Sequence, residues 1–227
     1  TLNVTGTLSD STAVTVASGA TYIVGANDTV LSIAGAGNIT LTANLTAGTS
    51  TDTTFSGVMS STGSFTKVGS GTLTLSGPNT YSGSTTVAAG TLLISHNTGL
   101  GSTAGGTTIN SGATLDLYNV AVGAEAITLA GGTLRDVTSS LAGNITLTAD
   151  STLDTGAGDT LTLSGVISGG YGITKTGAGT VVLSNANTYT GTTTISAGTL
   201  SVTGTLSDST AVTVASGATY IVGANDT

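Results

Sequence analysis

The sequence contains no cysteine, so disulfides and cysteine-ligated metal sites are excluded. Only 6% of its 227 residues are charged, and its three basic residues, Lys67, Arg135 and Lys175, are scattered along the chain. Because nucleic-acid binding needs clustered Lys and Arg to displace counterions, we expect no nucleic-acid partner. No run of 18 apolar residues is present, so we expect no membrane insertion of this segment.

Glycine, threonine and serine fill much of the chain, a composition that by itself favours flexible disorder. Against this, aliphatic residues alternate with polar ones throughout, as in the segments 73–76 (LTLS) and 161–163 (LTL). Disordered segments are poor in β-branched apolar residues, and alternate residues of a strand face opposite sides. The pattern therefore predicts short strands that each bury one aliphatic row, and it predicts no helix.

The first and last segments of the chain are nearly the same. Residues Thr1–Thr29 match Thr199–Thr227 at 28 of 29 positions, and only Asn3 and Ser201 differ. The offset is 198 residues, and fixed-period self-similarity is typical of solenoids and tandem arrays. We therefore interpret residues 1–227 as a single continuous β-solenoid, slightly longer than one 198-residue tandem repeat.

A second, weaker repeat lies inside the 198-residue period. Segments Lys67–Leu92 and Lys175–Leu200 match at 16 of 26 positions, and Gly37–Ala43 matches Gly143–Ala149 throughout. These matches divide the chain into two related submodules, at about 37–142 and 143–227.

Short strands, Gly and Asn corners and submodules of unequal length together favour a parallel β-helix. We expect about 20 residues and about three strands per coil, with neighbouring coils ~4.8 Å apart. About eleven such coils would account for the chain, with the aliphatic rows stacked into one core. An antiparallel sandwich or barrel is the competing fold, but it would need more than the 4% of aromatic residues found here.

One long motif is found twice, at Phe65–Leu92 and Ile173–Leu200, with the shared elements T-K-x-G-x-G-T, L-S, N-T-Y, T-T and A-G-T-L. It closely resembles the autotransporter-associated β-strand repeat, which is found in passenger regions of bacterial autotransporters and related giant surface proteins. The resemblance implies a right-handed parallel β-helix, secreted and displayed outside the cell. It implies no catalytic residues.

Residues that could carry chemistry are few, and each has a simpler structural interpretation. His96 is the only histidine and lies in a turn-like segment, so we expect an exposed turn residue rather than a catalytic or metal-binding one. Asp150, Asp154 and Asp159 are the densest acidic group and could attract calcium. The calcium-binding β-roll pattern is not present, so we expect aspartates that bond to their own turns.

The Gly-rich segments Gly69–Gly71 and Gly177–Gly179 could be taken for phosphate loops, but no predicted helix follows them. We interpret them as coil corners that need a positive φ. Two matching pairs are interpreted as a turn asparagine with a tyrosine packed over the corner: Asn79 with Tyr81, and Asn187 with Tyr189.

Thr-x-Thr pairs invite comparison with ice-binding β-helices. The pairs are not spaced one per coil, so we interpret them as strand formers on a solvated face: Thr40/Thr42, Thr72/Thr74, Thr146/Thr148 and Thr160/Thr162. Asn-x-Thr sequons such as Asn38 and Asn144 matter only in a host that glycosylates them.

The sequence therefore predicts a structural protein, a β-helical rod that builds an extracellular fibre, stalk or surface layer at a bacterial surface. We expect no catalytic, cofactor-binding or metal-binding residues, no cofactor, and no enzyme activity. The expected partner is the protein itself, associating axially and, as a second option, laterally. The alternative is an adhesin passenger whose binding region lies elsewhere, because the longest irregular segment, His96–Gly106, is too short for a binding domain. A groove that collects several carboxylates would instead favour an enzyme.

Overall fold

The protein consists of short β-strands joined by turns in this computed structural model, which describes residues 1–223. Within that range no helix is present, and so no helix could span a membrane. The all-β class predicted from the sequence is confirmed. The described residues form two compact units, residues 1–108 and the residues from 109 onward.

The strands of the first unit are β1 Leu2–Val4, β2 Ala13–Val16, β3 Thr21–Val24, β4 Asp28–Val30, β5 Ser32–Gly35, β6 Asn38–Leu41, β7 Leu45–Ala47, β8 Thr53–Phe55, β9 Met59–Ser60, β10 Phe65–Lys67, β11 Thr72–Leu75, β12 Thr85–Val87 and β13 Thr91–Ile94. The division between the units falls within the next strand, β14 Thr107–Asn110.

The strands of the second unit are β15 Thr114–Tyr118, β16 Ala121–Val122, β17 Ile127–Ala130, β18 Thr133–Val137, β19 Ser139–Leu141, β20 Ile145–Ala149, β21 Ser151–Thr155, β22 Thr160–Leu163, β23 Ile167–Gly169, β24 Ile173–Thr176, β25 Thr180–Leu183, β26 Thr193–Ile195, β27 Thr199–Val202, β28 Val212–Val214 and β29 Thr219–Val222.

Three sheets form each unit. In the first unit the strand orders are β1-β3-β6-β9, β4-β7-β10-β12 and β2-β5-β8-β11-β13. In the second unit they are β17-β20-β23, β15-β18-β21-β24-β26-β28 and β16-β19-β22-β25-β27-β29. Successive strands from β2 to β11, and again from β15 to β25, enter the three sheets in rotation. Each turn of the chain therefore adds one strand to each of three faces.

The strand pairs described within the units are parallel, and paired residues lie about one turn apart in sequence. Their separation ranges from 17 residues, between Asp28 and Leu45, to 22 residues, between Ile145 and Ile167. Each unit is therefore a parallel β-solenoid, and the two units together hold about 11 turns of about 20 residues, as the sequence predicted. The right-handed coil, the single continuous solenoid and the submodules at 37–142 and 143–227 stay predictions.

Aliphatic and aromatic side chains fill the inside of each unit, because alternate residues of every strand point inward. In the first unit Leu75 pairs in register with Phe55 on one side and Ile94 on the other, and all three are fully buried. Burying each such side chain contributes roughly 1.5–3 kcal/mol to folding. Stacking of equivalent residues in successive turns thus gives each unit a core that runs along its axis.

A ladder of threonines follows the outer face of one sheet in the second unit. The register places one threonine in each of six consecutive strands: Thr114, Thr133, Thr152, Thr174, Thr194 and Thr213. Their spacing in sequence varies with turn length, so the ladder cannot be recognised from a fixed period. None of these residues belongs to the Thr-x-Thr pairs named in the sequence, and the interpretation of those pairs stays a prediction.

Candidate functional site

The two internal repeats adopt the same local structure, one in each unit. In the first, β10 pairs with β12 and β11 pairs with β13. In the second, β24 pairs with β26 and β25 pairs with β27. Each repeat therefore consists of two consecutive turns stacked on each other, and its polar side chains can be compared position by position.

Lys67 is the last residue of β10 in the first repeat. Its side chain faces inward and is 1% exposed. Its ammonium donates hydrogen bonds to the carbonyls of Val68 at 2.8 Å, Gly69 at 2.9 Å and Ala89 at 3.1 Å. The first two carbonyls belong to its own corner and the third to the next turn. Because an ammonium has three donors, this group is fully satisfied and links two turns.

Lys175 does the same in the second repeat and is completely buried. Its ammonium donates to the carbonyls of Thr176 at 2.5 Å, Gly177 at 2.8 Å and Ala197 at 3.3 Å. Burial lowers the pKa of both lysines, and the carboxylates of Asp52 and Asp154, respectively, partly oppose this. Three carbonyl acceptors therefore hold each lysine inside the solenoid in place of an ion pair.

Glycine makes these corners possible, as the sequence predicted. Gly69 has φ 73° and Gly177 has φ 70°, which lie in the left-handed region that favours glycine. A Cβ on Gly177 would lie 2.1 Å from the carbonyl oxygen of Thr155 in the preceding turn. The glycines thus turn the carbonyls toward the lysine and allow the turns to approach closely.

Asn79 takes the place of a missing strand between β11 and β12 and is 1% exposed. The amide of Met59, one turn earlier, donates to its side-chain oxygen at 2.8 Å. Its side-chain nitrogen donates to the carbonyl of Gly99, one turn later, at 2.7 Å. This single side chain therefore joins three successive turns, whereas the sequence predicted only a turn asparagine.

Asn187 lies in the matching place between β25 and β26 and is 3% exposed. The amide of Ile167 donates to its side-chain oxygen at 3.0 Å. Its side-chain nitrogen donates to the carbonyls of Asn185 at 2.8 Å and Thr205 at 3.1 Å. Here too a buried side-chain amide makes hydrogen bonds that the backbone of a strand would otherwise make.

The tyrosine of each repeat lies inside the solenoid, not over the corner as the sequence predicted. Tyr81 and Tyr189 are both fully buried. The hydroxyl of Tyr81 hydrogen-bonds to that of Thr85 at 2.6 Å, and Tyr189 pairs with Thr193 at the same distance. A buried tyrosine hydroxyl needs such a partner, and the first threonine of the T-T dipeptide supplies it.

We call these two sets of residues the polar supports. The first consists of Lys67, Asn79, Tyr81 and Thr85, and the second of Lys175, Asn187, Tyr189 and Thr193. Their polar atoms are buried and engaged with the backbone or with each other, so the arrangement can fix the path of the chain from turn to turn.

Two segments, residues 65–94 and 173–202, match the family model of the passenger-associated-transport-repeat. The resemblance drawn from the motif is thereby confirmed for these two segments. Each match begins shortly before the lysine, contains a complete polar support and ends with the second stacked turn. Together the matches cover 30 and 30 of the 227 residues, about a quarter of the chain. No curated protein and no solved structure matches the chain.

Each end of the described chain offers a further candidate site. Strand β1 pairs with β3, with Leu2 opposite Tyr22, and β27 pairs with β29, with Leu200 opposite Tyr220. The offset is 198 residues for both partners, so the near-identical segments form the same strands in the same register. The last residues of the repeated segment, 224–227, lie outside the described residues.

The two copies differ in which side is covered. Within the described residues, β1 and β2 have a neighbouring strand on one side only, and so do β28 and β29. We call these pairs of strands the N-terminal edge and the C-terminal edge. Leu2 is 53% exposed at the N-terminal edge, whereas the equivalent Leu200 is 1% exposed. Conversely, Val222 is 47% exposed at the C-terminal edge, whereas the equivalent Val24 is 1% exposed.

An open groove lies at each edge. The groove at the N-terminal edge has a volume of about 270 Å³ and is lined by residues that include Leu2 and Tyr22. The groove at the C-terminal edge has a volume of about 260 Å³ and is lined by residues that include Leu206, Tyr220 and Val222. Both edges therefore present apolar side chains that the same sequence buries elsewhere in the chain.

His96 bonds within its own turn, whereas the sequon asparagine Asn144 bonds to the next turn. His96 is half-buried, not exposed as predicted; its Nδ1 hydrogen-bonds to the hydroxyl of Thr98 at 3.1 Å and accepts from the amide of Thr98 at 3.2 Å. Asn144 is exposed, and the amide of Val166 donates to its side-chain oxygen at 2.9 Å. Asn38 is also exposed, in β6.

The aspartates predicted to bond to their own turns bond to neighbouring turns instead. Asp150 accepts from the amide of Gly172 at 2.7 Å, and Asp154 accepts from the hydroxyl of Thr176 at 2.7 Å. Each bond spans 22 residues, one full turn, because equivalent corners stack directly on each other. Among residues 1–223, no group of three or more His, Cys, Asp and Glu is arranged to hold a metal ion.

The sequence analysis missed the role of the two lysines. It counted Lys67 and Lys175 only as isolated cations. The signal that could have identified them is their position: each begins its repeat, two residues before a glycine, on the face of an otherwise apolar strand. A lysine retained on a buried face must have its ammonium satisfied by nearby acceptors.

Proposed function

We propose that this chain is a structural protein, part of a solenoid of stacked 198-residue repeats that serves as an extracellular fibre, stalk or surface layer. The observation that carries the proposal is the pair of near-identical end segments. Each copy leaves exposed the side that the other copy buries. An unpaired strand edge invites further strands, and in a tandem array the next repeat supplies them.

The N-terminal edge and the C-terminal edge have matching patterns of apolar and polar residues. In the chain, β3 is covered by β6, which places Ile39 beside Tyr22 and Leu41 beside Val24. Strand β1 has the same alternation, apolar at its first and third residues. A second copy could therefore cover β29 with its β1 and keep the apolar row continuous. Such a head-to-tail contact does not close on itself, so repetition produces a filament.

The polar supports favour a mechanical role over a chemical one. Their lysines, asparagines and tyrosines are occupied in holding successive turns, so in this proposal the chain has no catalytic role. The match to a passenger-associated repeat agrees with an autotransporter passenger-type scaffold, secreted or displayed at the cell surface. Among the described residues, the longest stretch between strands, Ser95–Gly106, is too short for a separate binding domain. An adhesin would therefore need a binding region elsewhere in the parent protein.

The proposal is tested by blocking one edge. Val222 faces inward and Ile221 faces outward on the same exposed strand, so Val222→Lys and Ile221→Lys form a matched pair. Sedimentation velocity over a range of concentrations should show end-to-end oligomers of the unchanged chain and of Ile221→Lys. Val222→Lys should stay monomeric, because it places a charge in the apolar row. Monomers of the unchanged chain at every concentration would contradict the head-to-tail contact between separate copies.

A further inference from the structure

The second unit contains a buried carboxylate that the polar supports do not explain. Asp136 lies in β18 on the same inward face as Leu134 and is 1% exposed. Neither of its two carboxylate oxygens has a partner at normal hydrogen-bond distance and angle among the described residues, although the hydroxyl of Ser139 and the amides of Ser139 and Thr138 lie near it. An ionised carboxylate in this position is costly unless an opposite charge or hydrogen bonds compensate it.

A second residue whose side-chain oxygen lacks a partner is paired with Asp136 in the sheet. The parallel register pairs Asp136 with Leu117 in the preceding turn and with Thr155 in the following turn. Thr155 is fully buried, and its hydroxyl oxygen also lacks a partner among the described residues. Two neighbouring turns therefore present polar oxygens to the same internal space without bonding to each other.

A second carboxylate stands at the same corner. Asp159 follows β21 and accepts a hydrogen bond from the hydroxyl of Thr138 at 3.3 Å. Burial raises the pKa of Asp136 to about 6, and the negative charge of Asp159 adds to this. The nearby hydroxyl of Ser139 and the amides of Ser139 and Thr138 lower this pKa, but none of them makes a hydrogen bond of normal geometry to the carboxylate.

The basic groups near this corner are already engaged. The guanidinium of Arg135 faces the other side of β18 and pairs with Asp116 at 2.6 Å. The ammonium of Lys175 is bound by three carbonyls, and Asp154 accepts from Thr176. Lys67, the remaining basic residue, belongs to the first unit. No described cationic side chain compensates Asp136.

We infer that this corner is a binding site for a hard cation, calcium, held by the carboxylates of Asp136 and Asp159 and the hydroxyl of Thr155. Calcium takes oxygen ligands in irregular geometry and completes its shell with water, which suits two carboxylates and a hydroxyl at a turn. A water molecule alone would satisfy the hydroxyl but leave the carboxylate charge uncompensated. This site revises the sequence-based expectation of no metal-binding residue, and it does not depend on the proposed function.

Thermal unfolding of the 227-residue chain tests the site. The chain is stripped with a chelator and melted at pH 7.5 and constant ionic strength, with and without 10 mM calcium chloride. For a Kd of about 10⁻⁴–10⁻³ M, 10 mM calcium should raise the melting temperature by about 3–10 °C. Isothermal titration calorimetry should show one site per chain, and the response should weaken at pH 5 because protons compete for the carboxylates.

Three variants and one control locate the effect. Asp136→Asn and Asp159→Asn should each abolish the calcium response, and Thr155→Val should weaken it while leaving both carboxylates in place. The matched control is Asp154→Asn, an outward-facing carboxylate in the same turn, which should keep the full response.

Two results would overturn the inference. In the first, the melting temperature is the same with calcium and with chelator, and Asp136→Asn is more stable than the unchanged chain. This would show that Asp136 is a buried acid that binds no cation. The second is an equal loss of response in Asp154→Asn and Asp136→Asn, which would show only general screening of the chain's net charge of −8.

Discussion

The two polar supports agree at the lysine and the tyrosine but differ at the asparagine. Asn187 is assisted by the backbone, because its own amide donates to the carbonyl of Thr205 at 2.8 Å and Ala186 forms a parallel bridge with Thr205. Asn79 has no such assistance toward the next turn, since its own amide bonds back to Gly77 at 3.0 Å. The preceding residue, Pro78, has no amide hydrogen to donate.

The side chain of Asn79 therefore makes alone the contact with the next turn that side chain and backbone share at Asn187. The lysines, by contrast, make the same three bonds in both places. Matched substitutions in the two repeats can therefore separate two contributions to stability. One comes from hydrogen bonds that both repeats make, and the other from hydrogen bonds that depend on the neighbouring turns.

The lysines should give the largest effect, equal in the two repeats. Lys67→Met and Lys175→Met each leave three carbonyls without their donor, and we expect a loss of about 2–4 kcal/mol in the free energy of unfolding. Chemical denaturation followed by circular dichroism measures this. Thr66→Ala, the outward neighbour in β10, serves as a control and should change stability by less than about 0.5 kcal/mol. A loss in Lys67→Met no larger than in the control would show that the lysine is not a support.

The asparagines should give the next largest loss of stability, and the loss should differ between the two repeats. We expect Asn79→Ala to cost about 2–3 kcal/mol and Asn187→Ala about 1–2 kcal/mol, because the backbone bonds around Asn187 remain. The same denaturation experiment measures both. Equal losses, or a larger loss in Asn187→Ala, would contradict the role given to the backbone.

The tyrosine hydroxyls should give a smaller effect, again equal in the two repeats. Tyr81→Phe and Tyr189→Phe each remove one partner of a 2.6 Å hydrogen bond to a threonine and leave the ring packing intact. We expect each change to cost about 0.5–1.5 kcal/mol. Restoring an apolar pair with Tyr189→Phe plus Thr193→Val should recover part of the loss, and the absence of any recovery would argue against the pair.

The pH dependence of stability should give the smallest effect. Burial lowers the pKa of both lysines in the folded chain, so near pH 9–10 the unfolded chain binds more protons than the folded chain. Stability from this source therefore rises with pH up to the pKa of the unfolded lysines. Lys67→Met and Lys175→Met should each reduce the rise measured between pH 8 and 10. An unchanged slope in both variants would contradict the lowered pKa values.

Much of the fold could be predicted because its cause is local. Alternation in segments such as 73–76 determines which side chains are buried, and the near identity of residues 1–29 and 199–227 requires the same strands in both. The side-chain contacts of the supports could not be predicted, because they join residues about 20 positions apart. Since the turn length varies from 17 to 22 residues, only the register shows which residues meet.

For Asp136, the sequence could predict the burial but not the neighbours. Its place after Leu134 in the alternating segment 133–137 assigns it to the inward face, so its burial could have been read from the sequence. Its neighbours Thr155 and Asp159 could not, because they belong to the following turn. The sequence grouped Asp159 with Asp150 and Asp154 by proximity along the chain, whereas the fold brings it to the corner of Thr138.

If successive repeats stack as proposed, each 198-residue repeat adds a fixed length of solenoid. Electron microscopy of chains that contain one and two complete repeats measures this directly. At about 20 residues per turn and ~4.8 Å between turns, the second repeat should lengthen the particle by about 48 Å without changing its width. Two separate globular particles joined by a linker, or a gain in width instead of length, would show that the repeats do not stack end to end.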